Sequence, residues 1–172
     1  MPHHPTIDGY EFALSGARVS GVRQVGDFAR LRQSLLSDAG VLEYSLAGVT
    51  DEQNGPALRL TMRGTLQLRC QRCLAPLEFP LQVDAVLVLA RSQAEIDALP
   101  MQGEGPDWIV AGKQMDVHDL LEDELLLAVP YAPRHETCAA QARTSAAAAL
   151  SPFAELRGIL RTGETQARGN RS

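Results

Sequence analysis

From Leu58 to Leu89 the chain alternates apolar and polar residues with few breaks, a rhythm that an antiparallel strand pair satisfies and a helix does not. Leu58, Leu60, Met62, Leu66, Leu68 and Cys70 occupy one register, interrupted by Gly64. Arg59, Thr61, Arg63, Thr65, Gln67 and Arg69 fill the other. After Cys70-Gln71-Arg72-Cys73-Leu74-Ala75-Pro76 the alternation resumes through Leu77, Phe79, Leu81, Val83, Ala85, Leu87 and Leu89. The pattern predicts two long strands with one buried face and one wet, basic face, joined by a turn that contains a C-x-x-C.

Other elements follow from their local signals. A strand is expected near Glu11–Val19, weakened by Gly16 and Gly21. Asp27 is placed to cap a short helix with Phe28, Leu31 and Leu35 at helical spacing, ended by Gly40. Leu42, Tyr44 and Leu46 predict another strand, and the turn residues 51–56 lead into the long pair. Ser92–Leu99 reads as one or two helical turns, 101–107 as a loop and Trp108–Val110 as a short extra strand. Asp116–Val129 is an amphipathic helix with Asp116 as N-cap and Pro130 as its stop. At about 100° per residue, Val117, Leu120, Leu121, Leu125, Leu127 and Ala128 share its apolar face, and Asp116, Asp119, Glu122 and Asp123 the opposite one. Glu124 falls near the middle of the apolar face, where a carboxylate needs a cation or N–H donors; Arg69 and Arg72 are the expected cations.

These elements define an α+β fold: a twisted, mainly antiparallel sheet with two or three packed helices. Residues 1–138 read as a single domain. The Ala-rich stretch 139–150 reads as a linker, and 151–172 as a short helix, opened by Ser151-Pro152 and bearing Phe153 and Leu156, followed by a basic tail. With 45% hydrophobic and 22% charged residues the chain is globular. A net charge of −5 argues against strong non-specific binding to nucleic acid. No apolar run is long enough to span a bilayer, and the Met1–Pro5 start lacks the features of a signal peptide. Cytoplasmic residence with reduced thiols is therefore expected, and three cysteines suit metal ligation better than a disulfide framework.

The chemistry concentrates in four residues. Cys70 and Cys73 form a knuckle in which two thiolates can share one ion, and His135 and Cys138 supply a second short pair, together a Cys₃His set suited to Zn²⁺. His118 is an alternative fourth ligand. The competing reading has Cys70 facing the core and Cys138 simply opening the linker. A thiol–disulfide oxidoreductase is a further alternative, but such enzymes place C-x-x-C at a helix N-terminus, whereas here it lies between strands. No phosphate loop, nucleophile elbow or H-E-x-x-H is present, and Glu122 and Glu124 point to different sides of their helix.

Three stretches together resemble a known family: the Cys70–Leu74 turn, Leu120–Pro130 followed by His135 and Cys138, and Ser151-Pro152-Phe153-Ala154-Glu155-Leu156. Their order and spacing are similar to the bacterial YceD family, also found in plastids, which is associated with accumulation of large-subunit (23S) ribosomal RNA. Its gene commonly neighbours that of a small basic large-subunit ribosomal protein. The resemblance implies a non-enzymatic factor in ribosome biogenesis whose partner is a ribosomal precursor, a basic ribosomal protein or an rRNA-processing factor. Arg59, Arg63, Arg69 and Arg72 could meet phosphate. Asp119, Glu122, Asp123 and Glu124 could dock a basic protein, and Phe153 and Leu156 could fold onto a partner.

Overall fold

The computed structural model describes residues 5–51, 55–99 and 106–138. The expected linker at 139–150 and the helix and tail at 151–172 lie outside the described residues.

Five strands form the main sheet, in the order β2 (Arg18–Gln24), β3 (Val41–Thr50), β4 (Pro56–Arg69), β5 (Pro76–Ala90) and β6 (Asp107–Val110). The first four run antiparallel to their neighbours; β6 returns parallel to β5. A two-stranded pair joins β1 (Thr6–Ile7) to β7 (Met115–Asp116). The helices are α1 (Gly9–Leu14), α2 (Gln93–Asp97) and α3 (Val117–Ala128). The architecture is therefore α+β and mainly antiparallel, as the alternation requires.

The long β4–β5 ladder runs in unbroken register from Ala57↔Val88 to Arg69↔Pro76. Its inward residues, among them Leu58, Leu60, Met62, Leu66, Leu68, Leu81 and Leu87, join Leu42 and Leu46 of β3 and Val117, Leu121 and Leu125 of α3 in one core. Each fully buried leucine contributes roughly 2 kcal/mol of gross burial energy, and the core lies along the β4–β5 ladder and α3. Gly64 breaks the alternation for a packing reason. A side chain there would strike Leu42, its cross-strand partner, and the Val41 carbonyl, 2.7 Å from the added carbon.

Three local expectations are corrected. The strand expected near Glu11–Val19 is a helix followed by a strand. Asp8 caps α1 by accepting from the Glu11 N–H at 3.1 Å, and β2 begins only at Arg18. The helix expected after Asp27 is instead two short 3-10 turns, Val25–Asp27 and Leu31–Ser34. Asp27 closes the first by accepting from the Gln24 N–H at 3.2 Å.

The third correction concerns α3, which has the expected cap, with Asp116 accepting from the His118 N–H at 2.7 Å. Its buried residues are Val117, Leu121, Glu122 and Leu125, while Leu127 is 75% exposed. The helix is thus turned so that Glu122 faces inward. The reason is supplied by the 3-10 segment: Arg30 and Leu31 donate backbone N–H bonds to Glu122 Oε1 at 2.7 and 3.3 Å, and Arg30 Nε donates to Oε2 at 2.7 Å. A buried carboxylate with three donors costs little. Glu124, by contrast, is only half-buried. Desolvation, with Asp107 and Asp123 nearby, pushes its carboxyl above the usual glutamate range, and the cation expected beside it from Arg69 or Arg72 is instead Arg30 on Glu122 and Asp123.

Candidate metal centre

Cys70 continues the inward register of Leu66 and Leu68 and is therefore wholly buried. The chain reverses immediately after it. Leu74 N–H donates to the Cys70 carbonyl at 2.9 Å, and Cys70 N–H donates to Ala75 O at 3.0 Å, which folds both cysteines into one tight turn. Leu74 closes that turn at φ 64°, in the left-handed region, with its side chain 60% exposed. A non-glycine residue costs about 1 kcal/mol there. Cys73 is half-buried at the same bend.

The second arm arrives from α3. Pro130 cannot continue the helix, and the chain turns back toward the ribbon. Gln71 N–H donates to Pro133 O at 2.8 Å, so the residues after the helix lie against the cysteine turn. Arg72 Nη2 donates to the carbonyls of His135 at 3.2 Å and Glu136 at 3.5 Å. His135 Nε2 lies 2.9 Å from Pro76 O. A carbonyl can only accept, so Nε2 holds the ring hydrogen and Nδ1 is left as a lone-pair donor. That nitrogen is 3.4 Å from Cys73 Sγ.

Cys70, Cys73, His135 and Cys138 each bring one ligand atom to within 4.8 Å of the others. Four ligands around a tetrahedral ion with metal–sulfur bonds of about 2.3 Å stand about 3.8 Å apart, so small side-chain adjustments suffice to close on one. The electrostatics agree. Burial alone would push the Cys70 thiol up, but N–H donors of Cys73, His135 and Arg72, with the Cys73 thiol, outweigh it and bring it down to about 5. A thiolate is the form that binds metal. The donor set, the histidine tautomer fixed by an outer-shell carbonyl and the thiolate bias all fit a thiophilic cation.

The other expected site residues are dispersed. Arg59 is held by Asp84 through bonds of 2.8 and 2.7 Å. Arg63 and Arg69 are exposed on the outer sheet face, opposite Gln82 and Pro76 of β5. Arg72 braces the His135–Glu136 segment. Asp119 is exposed, whereas Asp123 accepts from Arg30 Nη1 at 2.6 Å. His118 stacks flat on Phe28 with ring centroids 4.7 Å apart and is not in the four-residue group. Phe153 and Leu156 lie outside the described residues. Sequence reasoning did not find the parts played by Pro76, Pro133 and Arg30. The first two act through backbone carbonyls, which carry no residue-type signature.

Comparison with known proteins points in one direction. Residues 58–157 match the family model described as large ribosomal RNA subunit accumulation protein YceD. That span includes all four candidate ligands. A Haemophilus influenzae protein named large ribosomal RNA subunit accumulation protein YceD is 24% identical over 132 residues, covering 77% of this chain and 75% of the relative. No solved structure matches.

Proposed function

The chain belongs to the YceD family, and from that premise we propose that it supports the accumulation of large-subunit (23S) ribosomal RNA as a non-enzymatic binding factor in the cytoplasm. The family match over more than half of the chain is the observation on which this reading rests. Among the described residues no helix is long and apolar enough to cross a membrane.

In this reading Cys70, Cys73, His135 and Cys138 hold a structural Zn²⁺. The ion ties the residues that follow α3 to the β4–β5 turn and so shapes one end of the molecule as a recognition surface. All four coordination positions are filled by protein, as in structural and not catalytic zinc sites. Arg69 and the exposed Leu74 flank that end. The partner is a ribosomal precursor, a basic ribosomal protein or an rRNA-processing factor. The oxidoreductase alternative has less support, because the thiols sit on a strand turn with no helix N-terminus behind them.

Affinity capture of the full chain from growing cells, with mass spectrometry and RNA sequencing of what is retained, tests the reading. Enrichment of large-subunit precursor RNA or of proteins bound to it is expected. Recovery of neither, with thiol-dependent turnover of a disulfide substrate by the purified chain, would replace it with the oxidoreductase.

A further inference from the structure

The two cysteines of the turn differ in access. Cys73 is partly buried on a bend whose neighbours Gln71, Arg72, Leu74 and Ala75 are all exposed, whereas Cys70 is sealed in the core register. Their sulfurs lie within 4.8 Å of each other, and the two turn hydrogen bonds at Cys70 fix the bend between them. Cys73 is thus the more accessible of the pair, and Cys70 lies behind it. From this arrangement, and resting on the metal reading above, we infer that the centre is a peroxide-sensitive switch in which Cys73 is oxidised first and Cys70 resolves it as a disulfide.

The chemistry balances. The Cys73 thiolate attacks one oxygen of hydrogen peroxide; the S–O bond forms, the O–O bond breaks and hydroxide leaves, giving a sulfenic acid. The Cys70 thiolate then attacks the Cys73 sulfur; the S–S bond forms and the second hydroxide leaves. Two protons from solvent convert the hydroxides to water, peroxide is reduced by two electrons and the cysteine pair is oxidised by two. With half of its donors gone, the site releases its cation. The described contacts that then still hold the Pro133–Glu136 arm to the ribbon are hydrogen bonds from Gln71 and Arg72 and the one from His135 to Pro76 O. The recognition surface would loosen under oxidation and be restored by a dithiol reductant and metal.

The test uses the full zinc-loaded chain. Hydrogen peroxide is added, released zinc is followed with a chromogenic chelator, and disulfides are mapped by peptide mass spectrometry. One zinc ion should leave per Cys70–Cys73 disulfide formed, and dithiothreitol plus zinc should reverse both. Cys138→Ser, which leaves the turn pair intact, should form the same disulfide. Zinc retained in excess peroxide, a crosslink to Cys138, or release with only sulfinic acid at Cys73 would overturn the switch while leaving the metal centre standing. A chain that takes up no zinc at all would overturn both.

Discussion

His135 places Nδ1 3.4 Å from Cys73 Sγ, although 62 residues separate them in sequence. Ladder and helix bring the two together, while hydrogen bonds from Gln71 and Arg72 to the backbone of the incoming arm align them. Because those bonds act beside the proposed ligands, the proposed ion would lock this end of the molecule, apart from the sheet core.

Removing metal should therefore weaken the protein locally. Zinc at about 100-fold over its Kd should add roughly 2.7 kcal/mol of stability, and a strong chelator should lower the melting temperature without loss of far-ultraviolet circular dichroism. Cys70→Ser with Cys73→Ser should abolish both the zinc content and the metal-dependent shift. Global unfolding on chelation would show that the core is insufficient.

Glu122 gives a pH signature. Burial pushes its carboxyl up, but the Arg30 guanidinium and the N–H groups of Arg30 and Leu31 outweigh this and hold it below the usual glutamate range. A depressed folded pKa gives stability that is fully present above the ordinary value of about 4.3 and is lost as pH falls through the folded value. Glu122→Gln should cost roughly 1–3 kcal/mol near neutrality, with the gap in urea midpoint between variant and wild type closing below pH 4. A constant gap from pH 7 to 3 would contradict the assignment.

Leu74 pays for its side chain with a left-handed backbone. Leu74→Gly should raise stability by about 0.5 kcal/mol, the steric relief exceeding the added chain entropy. If the exposed leucine belongs to the recognition surface, the same variant should capture less partner from cells. A destabilised variant would show that Leu74 packs in a way its exposure does not suggest.

Gly48 lies where α1 crosses β3. A carbon added there would approach the Ala13 backbone to 2.8 Å and collide with the Phe12 carbonyl. Backbone cannot yield as a side-chain tip can, so Gly48→Ala should destabilise by about 2 kcal/mol, read from the urea midpoint. A change within about 0.5 kcal/mol would mean that α1 is loosely docked.

Much of this was legible in the residues. Period-2 alternation announced the ribbon, and a capped amphipathic run ended by Pro130 announced α3. The ligand types in Cys70-x-x-Cys73 and His135-x-x-Cys138 announced the cluster. Helix α1 was not legible, because six residues span less than two turns and the decisive features are one Asp8 cap and room left by a distant glycine. The orientation of α3 is not legible from apolarity alone, which cannot foresee that Glu122 finds three donors on Arg30 and Leu31, some 90 residues away. The pairing of Arg59 with Asp84 is not visible in the sequence, because the acid lies on the next strand, 25 residues on.

The central claim is settled most directly by the ratio of large- to small-subunit ribosomal RNA in cells lacking this chain. The ratio should fall, recover with the wild-type chain and recover less with the Cys70→Ser, Cys73→Ser variant. An unchanged ratio in the deletion strain would contradict the account.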